Sequence, residues 1–183
     1  VPGREVRRSR FGRRRAGAAA ALDVRGVWHE LKDGPAILRG VDLRIEPGET
    51  VALMGRNGAG KSTLLRHAAG LLEPTRGSVR RSGRVALLLQ SPSDYRVHQR
   101  VADEAPAAAI AAAGLSALAQ RDPRDISGGE LQRLALAIVA GWGEAPAVLA
   151  LDEPTRGMDR EARETLRAEL LDRAAAGQAV IVA

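Results

Sequence analysis

The tightest constraint in this sequence is a nine-residue stretch, Gly55-Arg56-Asn57-Gly58-Ala59-Gly60-Lys61-Ser62-Thr63. A short apolar run, residues 50–54, precedes it and reads as a strand. A helical pattern over residues 61–69 follows, closed by Gly70 at a C-cap position. The pattern G-x-x-x-x-G-K-[ST] between strand and helix is that of a phosphate-binding loop, the P-loop. Glycines at these spacings let the backbone bend until several N–H groups converge on one point. The helix behind them adds the positive end of its dipole. Lys61 supplies a mobile charge for the β- and γ-phosphates of a nucleotide, and Ser62 a hydroxyl for Mg²⁺. A glycine-rich turn that contains Lys-Ser by chance is the alternative, and the flanking strand and helix argue against it.

A second element stands about ninety residues further on, Val148-Leu149-Ala150-Leu151-Asp152-Glu153. An apolar strand that ends in an acid places a carboxylate at a sheet edge. There Asp152 can orient Mg²⁺ and its waters, while Glu153 can polarise an attacking water as general base. Alone, this would be a strand that turns at Asp-Glu-Pro. Paired with the phosphate loop, it reads as the other half of a hydrolytic site.

The net charge of +6 gives no support to a nucleic-acid partner. Seven arginines (Arg4, Arg7, Arg8, Arg10, Arg13, Arg14 and Arg15) against Glu5 carry all of it within the first fifteen residues, and the remainder is neutral. The aromatic set is Phe11, Trp28, Tyr95 and Trp142, too few for a base-stacking platform. The absence of cysteine excludes disulfides and thiolate metal sites. The Ala-rich stretch 105–119 is broken by Pro106, Gly114 and Ser116 and cannot serve as a membrane span. Arg7-Arg8 followed by a weak apolar run that ends at Asp23 is a poor match to an export signal.

Residues 1–21, rich in Arg and Ala, read as a disordered arm or linker, and residues 22–183 as one domain. Strands are expected over residues 22–28, 41–45, 50–54, 84–89, 147–151 and 179–183. Helices are expected over 61–69, 127–141 and 158–176, with a helical stretch over 101–118 interrupted at its Pro and Gly. Alternating strands and helices, with a continuous apolar run at 147–151, indicate an α/β fold whose parallel sheet is covered on both faces.

Between the loop and the carboxylate pair lies Ile126-Ser127-Gly128-Gly129-Glu130-Leu131-Gln132-Arg133. With the other two motifs it resembles the signature of ABC-type ATPases, usually L-S-G-G-Q and a basic residue, with Ile126 and Glu130 as mild departures. The resemblance spans residues 22–183. It implies a P-loop NTPase fold: a RecA-like parallel-sheet core, an N-terminal antiparallel β subdomain and an α-helical signature subdomain. It also implies that ATP and Mg²⁺ are bound, with Glu153, Gln90 and Lys61 catalytic and Ser62, Gln90 and Asp152 around the metal. Ser127, Gly128 and Gly129 would meet the nucleotide of a second ABC ATPase domain, held head to tail. Met158 and Asp159 after Gly157 resemble the D-loop. Leu31 stands where the family often has an adenine-stacking Tyr, with Trp28 the nearest aromatic.

The stretch Gln90-Ser91-Pro92 followed by Val101-Ala102-Asp103-Glu104 resembles energy-coupling-factor and cobalt-type importers. That implies an ATP-hydrolysing subunit on the cytoplasmic face of the membrane, powering passage of a vitamin or metal ion through transmembrane partner subunits. Actinobacterial members often carry two such domains in tandem, so the arm is expected to be an interdomain linker. The family's switch His would follow Ala183; His29, His67 and His98 stand elsewhere, and the chain is expected to be a piece of a longer one. The competing reading is a soluble ABC-type ATPase acting on ribosome or DNA. Only 65 residues lie between Lys61 and Ser127, which leaves no room for the long arms such proteins insert.

Overall fold

The computed structural model describes residues 19–32 and 34–183. The Arg-rich part of the expected arm lies outside them. Among the described residues seven strands and five helices run in the order β1 (Leu22–Glu30), β2 (Ala36–Ile45), β3 (Thr50–Ala52), α1 (Lys61–Ala69), β4 (Arg76–Arg81), β5 (Val85–Leu88), α2 (Val101–Glu104), α3 (Ala107–Ala112), α4 (Gly128–Gly141), β6 (Val148–Leu151), α5 (Arg160–Ala175) and β7 (Ala179–Val182). Short 3₁₀ turns at Pro92–Tyr95 and Ser116–Leu118 complete the connections.

Two sheets organise the chain. β2, β1 and β4 form an antiparallel sheet in that order, and β3, β7, β6 and β5 form a parallel one. The alternation of side chains along the parallel strands explains their continuous apolar sequence. Val148 and Ala150 of β6 and Ala179 and Ile181 of β7 face one core, shared with α1 and the antiparallel sheet. Leu149, Leu151 and Val180 face the other, against α4 and α5. A third cluster, Val101, Ile110, Leu115 and Leu134 among its members, holds the helical part together. This is the α/β architecture expected: a P-loop NTPase core, an antiparallel β subdomain and a helical subdomain.

Two local differences from the sequence-based expectation have physical causes. β2 starts at Ala36 and not at residue 41, because a kink at Gly40 (φ +64°) under Trp28 lets the strand continue through it. β4 was not expected. Its sequence, Arg76-Gly77-Ser78-Val79-Arg80-Arg81, turns only Val79 inward, so an edge strand with five exposed residues carries almost no apolar signal. Gly77 is required there: a Cβ would overlap the backbone of Arg25 and Gly26, where β1 bulges. The stretch 101–118 breaks into α2, α3 and a 3₁₀ turn, with the interruptions at Pro106 and Gly114 as the sequence indicates.

Candidate functional site

Parallel strands place all their C-terminal ends at one sheet edge, the usual position for ligand chemistry in such folds. Leaving that edge are the loop after β3, Gln90 after β5, and Asp152 and Glu153 after β6. Neighbouring backbones are tied there. Leu53 N–H donates to Val182 C=O at 2.7 Å, Asp152 N–H to Leu88 C=O at 2.9 Å, and Glu153 N–H to Ala183 C=O at 2.9 Å.

The loop from Gly55 to Gly60 is exposed along most of its length and leads into the first turn of α1, where Lys61, Ser62 and Thr63 are half-buried. Gly60 sits at the helix N-cap with φ +88°, a left-handed conformation that glycine adopts at little cost. A Cβ at this position would come within 2.8 Å of Leu38 Cδ2 on β2. The loop is therefore pressed against the antiparallel sheet, and only glycine fits. No side chain caps α1 and its first turn holds no acid, so its amides point outward without competition from their own residues. The Lys61 ammonium donates to Gly55 C=O at 3.0 Å and Arg56 C=O at 3.4 Å, folding back over the loop it belongs to. Such an arrangement can surround a phosphate chain.

Asp152 is buried at the end of β6. Its neighbour Glu153 has φ +48°, the one non-glycine residue with positive φ among the described residues. Holding a side chain there costs about 1–3 kcal/mol, and such strain concentrates at functional sites. Glu153 Oε2 accepts a hydrogen bond from Gln90 Nε2 at 2.6 Å. Arg156 stands 3.9 Å from the same oxygen, a long and mostly exposed pairing that contributes little. Motif order alone named Gln90 and Glu153 separately; adjacency of β5 and β6 brings them into contact.

The Ser127 group lies elsewhere, at the start of α4. Ser127 Oγ accepts from Glu130 N–H at 3.4 Å, while Ser127 N–H and Oγ–H both donate to Glu130 Oε2 at 2.7 Å. This is a closed capping box. The Ser127 side-chain and backbone donors hold the Glu130 carboxyl below its usual range. A Cβ on Gly128 would meet open space, and one on Gly129 would come within 3.1 Å of Ala162 on α5. Asp159, in the expected D-loop, caps α5 by accepting from Ala162 N–H at 2.8 Å.

The structure turns Trp28 away from the cradle. Its neighbour on β1, His29, contacts His67 of α1 at 3.1 Å. Trp28 therefore faces the opposite side of the sheet, with the Arg76 guanidinium 5.6 Å from its ring. Leu31 is exposed just after β1. His67 is fully buried and bonds Leu72 C=O through Nδ1 at 2.9 Å.

Fold and site together define a P-loop nucleotide-binding α/β protein, its phosphate loop and paired acids at one edge of a parallel sheet. Residues 38–156, more than half of the chain, match the family model described as ABC transporter. The chain belongs to this family of ATP-binding proteins. An ABC transporter ATP-binding protein of Streptomyces coelicolor is 44% identical over 178 residues, covering 83% of this chain and 31% of that protein. The chain thus spans about a third of that relative's length. The energy-coupling factor transporter ATP-binding protein EcfA of Methanosphaera stadtmanae is 30% identical, covering 88% of this chain and 69% of its own length. The solved structure of cbiO1 from Clostridium perfringens, part of the ABC transporter complex cbiONQ, superposes with a TM-score of 0.77. It covers 89% of this chain and 77% of that one at 24% identity, a likeness of fold.

Proposed function

We propose that this chain binds and hydrolyses ATP to drive transport of a small solute, a vitamin or metal ion, through partner membrane subunits. The observation that carries the catalytic part is the 2.6 Å contact of Gln90 with a strained Glu153 at the edge where the phosphate loop also emerges. In this reading the loop amides of residues 55–60 and the amides of Lys61, Ser62 and Thr63 surround the phosphates. Lys61 leaves its carbonyl partners to meet the β- and γ-oxygens. Gln90 orients the attacking water, and Glu153 accepts its proton.

The donor set also fits Mg²⁺. Ser62 and Asp152 offer hard oxygen ligands, and the described residues hold no group of three or more His, Cys, Asp or Glu that would make a self-sufficient metal cage. Mg²⁺ is commonly bound through one or two carboxylates plus substrate phosphates. When bound, the ion would neutralise charge on the β- and γ-oxygens.

Ser127, Gly128 and Gly129 are assigned to the nucleotide of a second ABC ATPase domain, facing this one head to tail. ATP then bridges the two domains, and its differential affinity for closed and open pairs supplies the work. No helix among the described residues is long and apolar enough to cross a membrane; the chain is assigned to the cytoplasmic face, bound through residues 90–104 to transmembrane subunits. Residues 1–21 are assigned as a linker and 22–183 as the ATPase domain. The test is co-purification of the full-length protein with its membrane partners, followed by ATP-dependent uptake in vesicles. Recovery on ribosomes or DNA in place of membrane subunits would refute the transport reading.

A further inference from the structure

The parallel sheet ends at β5, whose outer side has no strand beside it among the described residues. Leu88 C=O points inward, accepting from Asp152 N–H of the chain leaving β6. Strand groups alternate in direction, so Leu87 C=O and Leu89 N–H point to the open side. Both meet the hydroxyl of Tyr95. Leu89 N–H donates to it at 2.8 Å, and the hydroxyl donates to Leu87 C=O at 3.2 Å. In a parallel ladder one residue of the next strand would make this same pair of bonds around Leu88. A single side-chain oxygen therefore substitutes for a missing strand at the last turn of chain before Gln90.

The 3₁₀ turn Pro92–Tyr95 folds the chain back so that residue 95 reaches residue 89. The ring packs against the core formed with α4 and α5. Burial pushes the phenol pKa upward, with the Leu89 amide pulling the other way, and the hydroxyl keeps the proton it donates. Gln90 leaves β5 from a backbone fixed on both sides, by β6 and by Tyr95.

We infer that Tyr95 is a positioning residue for hydrolysis: its hydroxyl clamps the end of β5 so that the Gln90 amide reaches Glu153. This rests on the reading of Gln90 and Glu153 as a catalytic pair. Without the hydroxyl, Leu87 C=O and Leu89 N–H lose their partner and the start of the Gln90 loop is released.

The test is Tyr95→Phe in the full-length protein, which keeps the ring and its packing. Turnover of ATP should fall about five- to tenfold while KM stays within about twofold, since the phosphate cradle is untouched. Amide exchange at Leu89 should quicken. In a Gln90→Ala background the same substitution should cost nothing further, because residues acting through one group are not additive. Unchanged kcat in Tyr95→Phe, with normal hydrolysis by the unsubstituted protein, overturns the inference and leaves the proposed function standing. A rise in KM that accounts for the loss, or an additive loss in the double variant, also overturns it. Failure of the unsubstituted protein to hydrolyse ATP overturns the parent reading, and this inference with it.

Discussion

Helix α1 begins behind Gly60 with no capping side chain and no acid in its first turn; helix α4 begins behind Ser127 with a closed capping box and Glu130 in its first turn. Both starts are glycine-bearing and both carry serine, and from sequence both read as nests for an anion. The fold separates them. At α1 the donors face outward and the Lys61 ammonium folds over the loop that carries them. At α4 a carboxylate already occupies the mouth, drawing on Ser127 N–H and Oγ. An ordinary helix cap and an anion site draw on neighbouring donors, and at α4 the chain itself engages Ser127 N–H, the Ser127 hydroxyl and Glu130 N–H. In the proposed reading phosphate binds first at α1, and the α4 start would contribute once a nucleotide brought by another domain competes with Glu130.

The largest effect that would break this comparison is at Lys61. Lys61→Ala should weaken MgATP binding by at least about a hundredfold, the loss of a charge-assisted phosphate contact together with its loop contacts. Unchanged affinity by titration calorimetry would remove α1 as the phosphate site. Next in size, Glu153→Gln should lower kcat by about 10²–10⁴-fold while ATP stays bound, as expected when a general base is lost. Normal single-turnover rates in the full-length protein would refute that role.

A smaller effect sharpens the α4 side. Glu130→Ala should cost about 1 kcal/mol by opening the capping box. It should also let sulfate perturb the amides of residues 128–131 in nuclear magnetic resonance spectra, where the unsubstituted chain responds only around residues 58–62. An identical sulfate response before and after the substitution would show that Glu130 does not guard this helix start.

The smallest effect concerns the support beneath α1. Burial holds the His67 ring below the ordinary histidine range, opposed by its bond to Leu72 C=O, with His29, Arg81 and Glu73 as the nearby titratable groups. The native state favours neutral His67, while the unfolded chain takes up a proton below about pH 6.5. Its contribution to stability is complete above that pH and declines as pH falls through it. His67→Asn should flatten the drop in melting temperature between pH 7 and pH 5.5; an unaltered slope would assign the drop to other groups.

Much of the site was legible because its parts are short, local patterns. A phosphate loop needs glycines at fixed spacing, and a buried strand ending in acids reads as residues 148–153 do. Local pattern could not reveal contacts that arise between distant segments. Gln90 meets Glu153 because β5 lies beside β6. Tyr95 carries its hydroxyl to Leu87 and Leu89 because β5 is an edge strand. β4 stayed hidden since its arginines are exposed and only Val79 turns inward.

The sequence by itself determined the class of fold, the phosphate loop and the identity of the paired acids, for each follows from residue type at fixed separation. Tertiary structure alone decided which glycine-bearing helix start is left open, which way Trp28 faces, and what holds Gln90 against Glu153. Those outcomes depend on strand order and on which neighbours satisfy each polar group, and neither quantity is written in any single window of the chain.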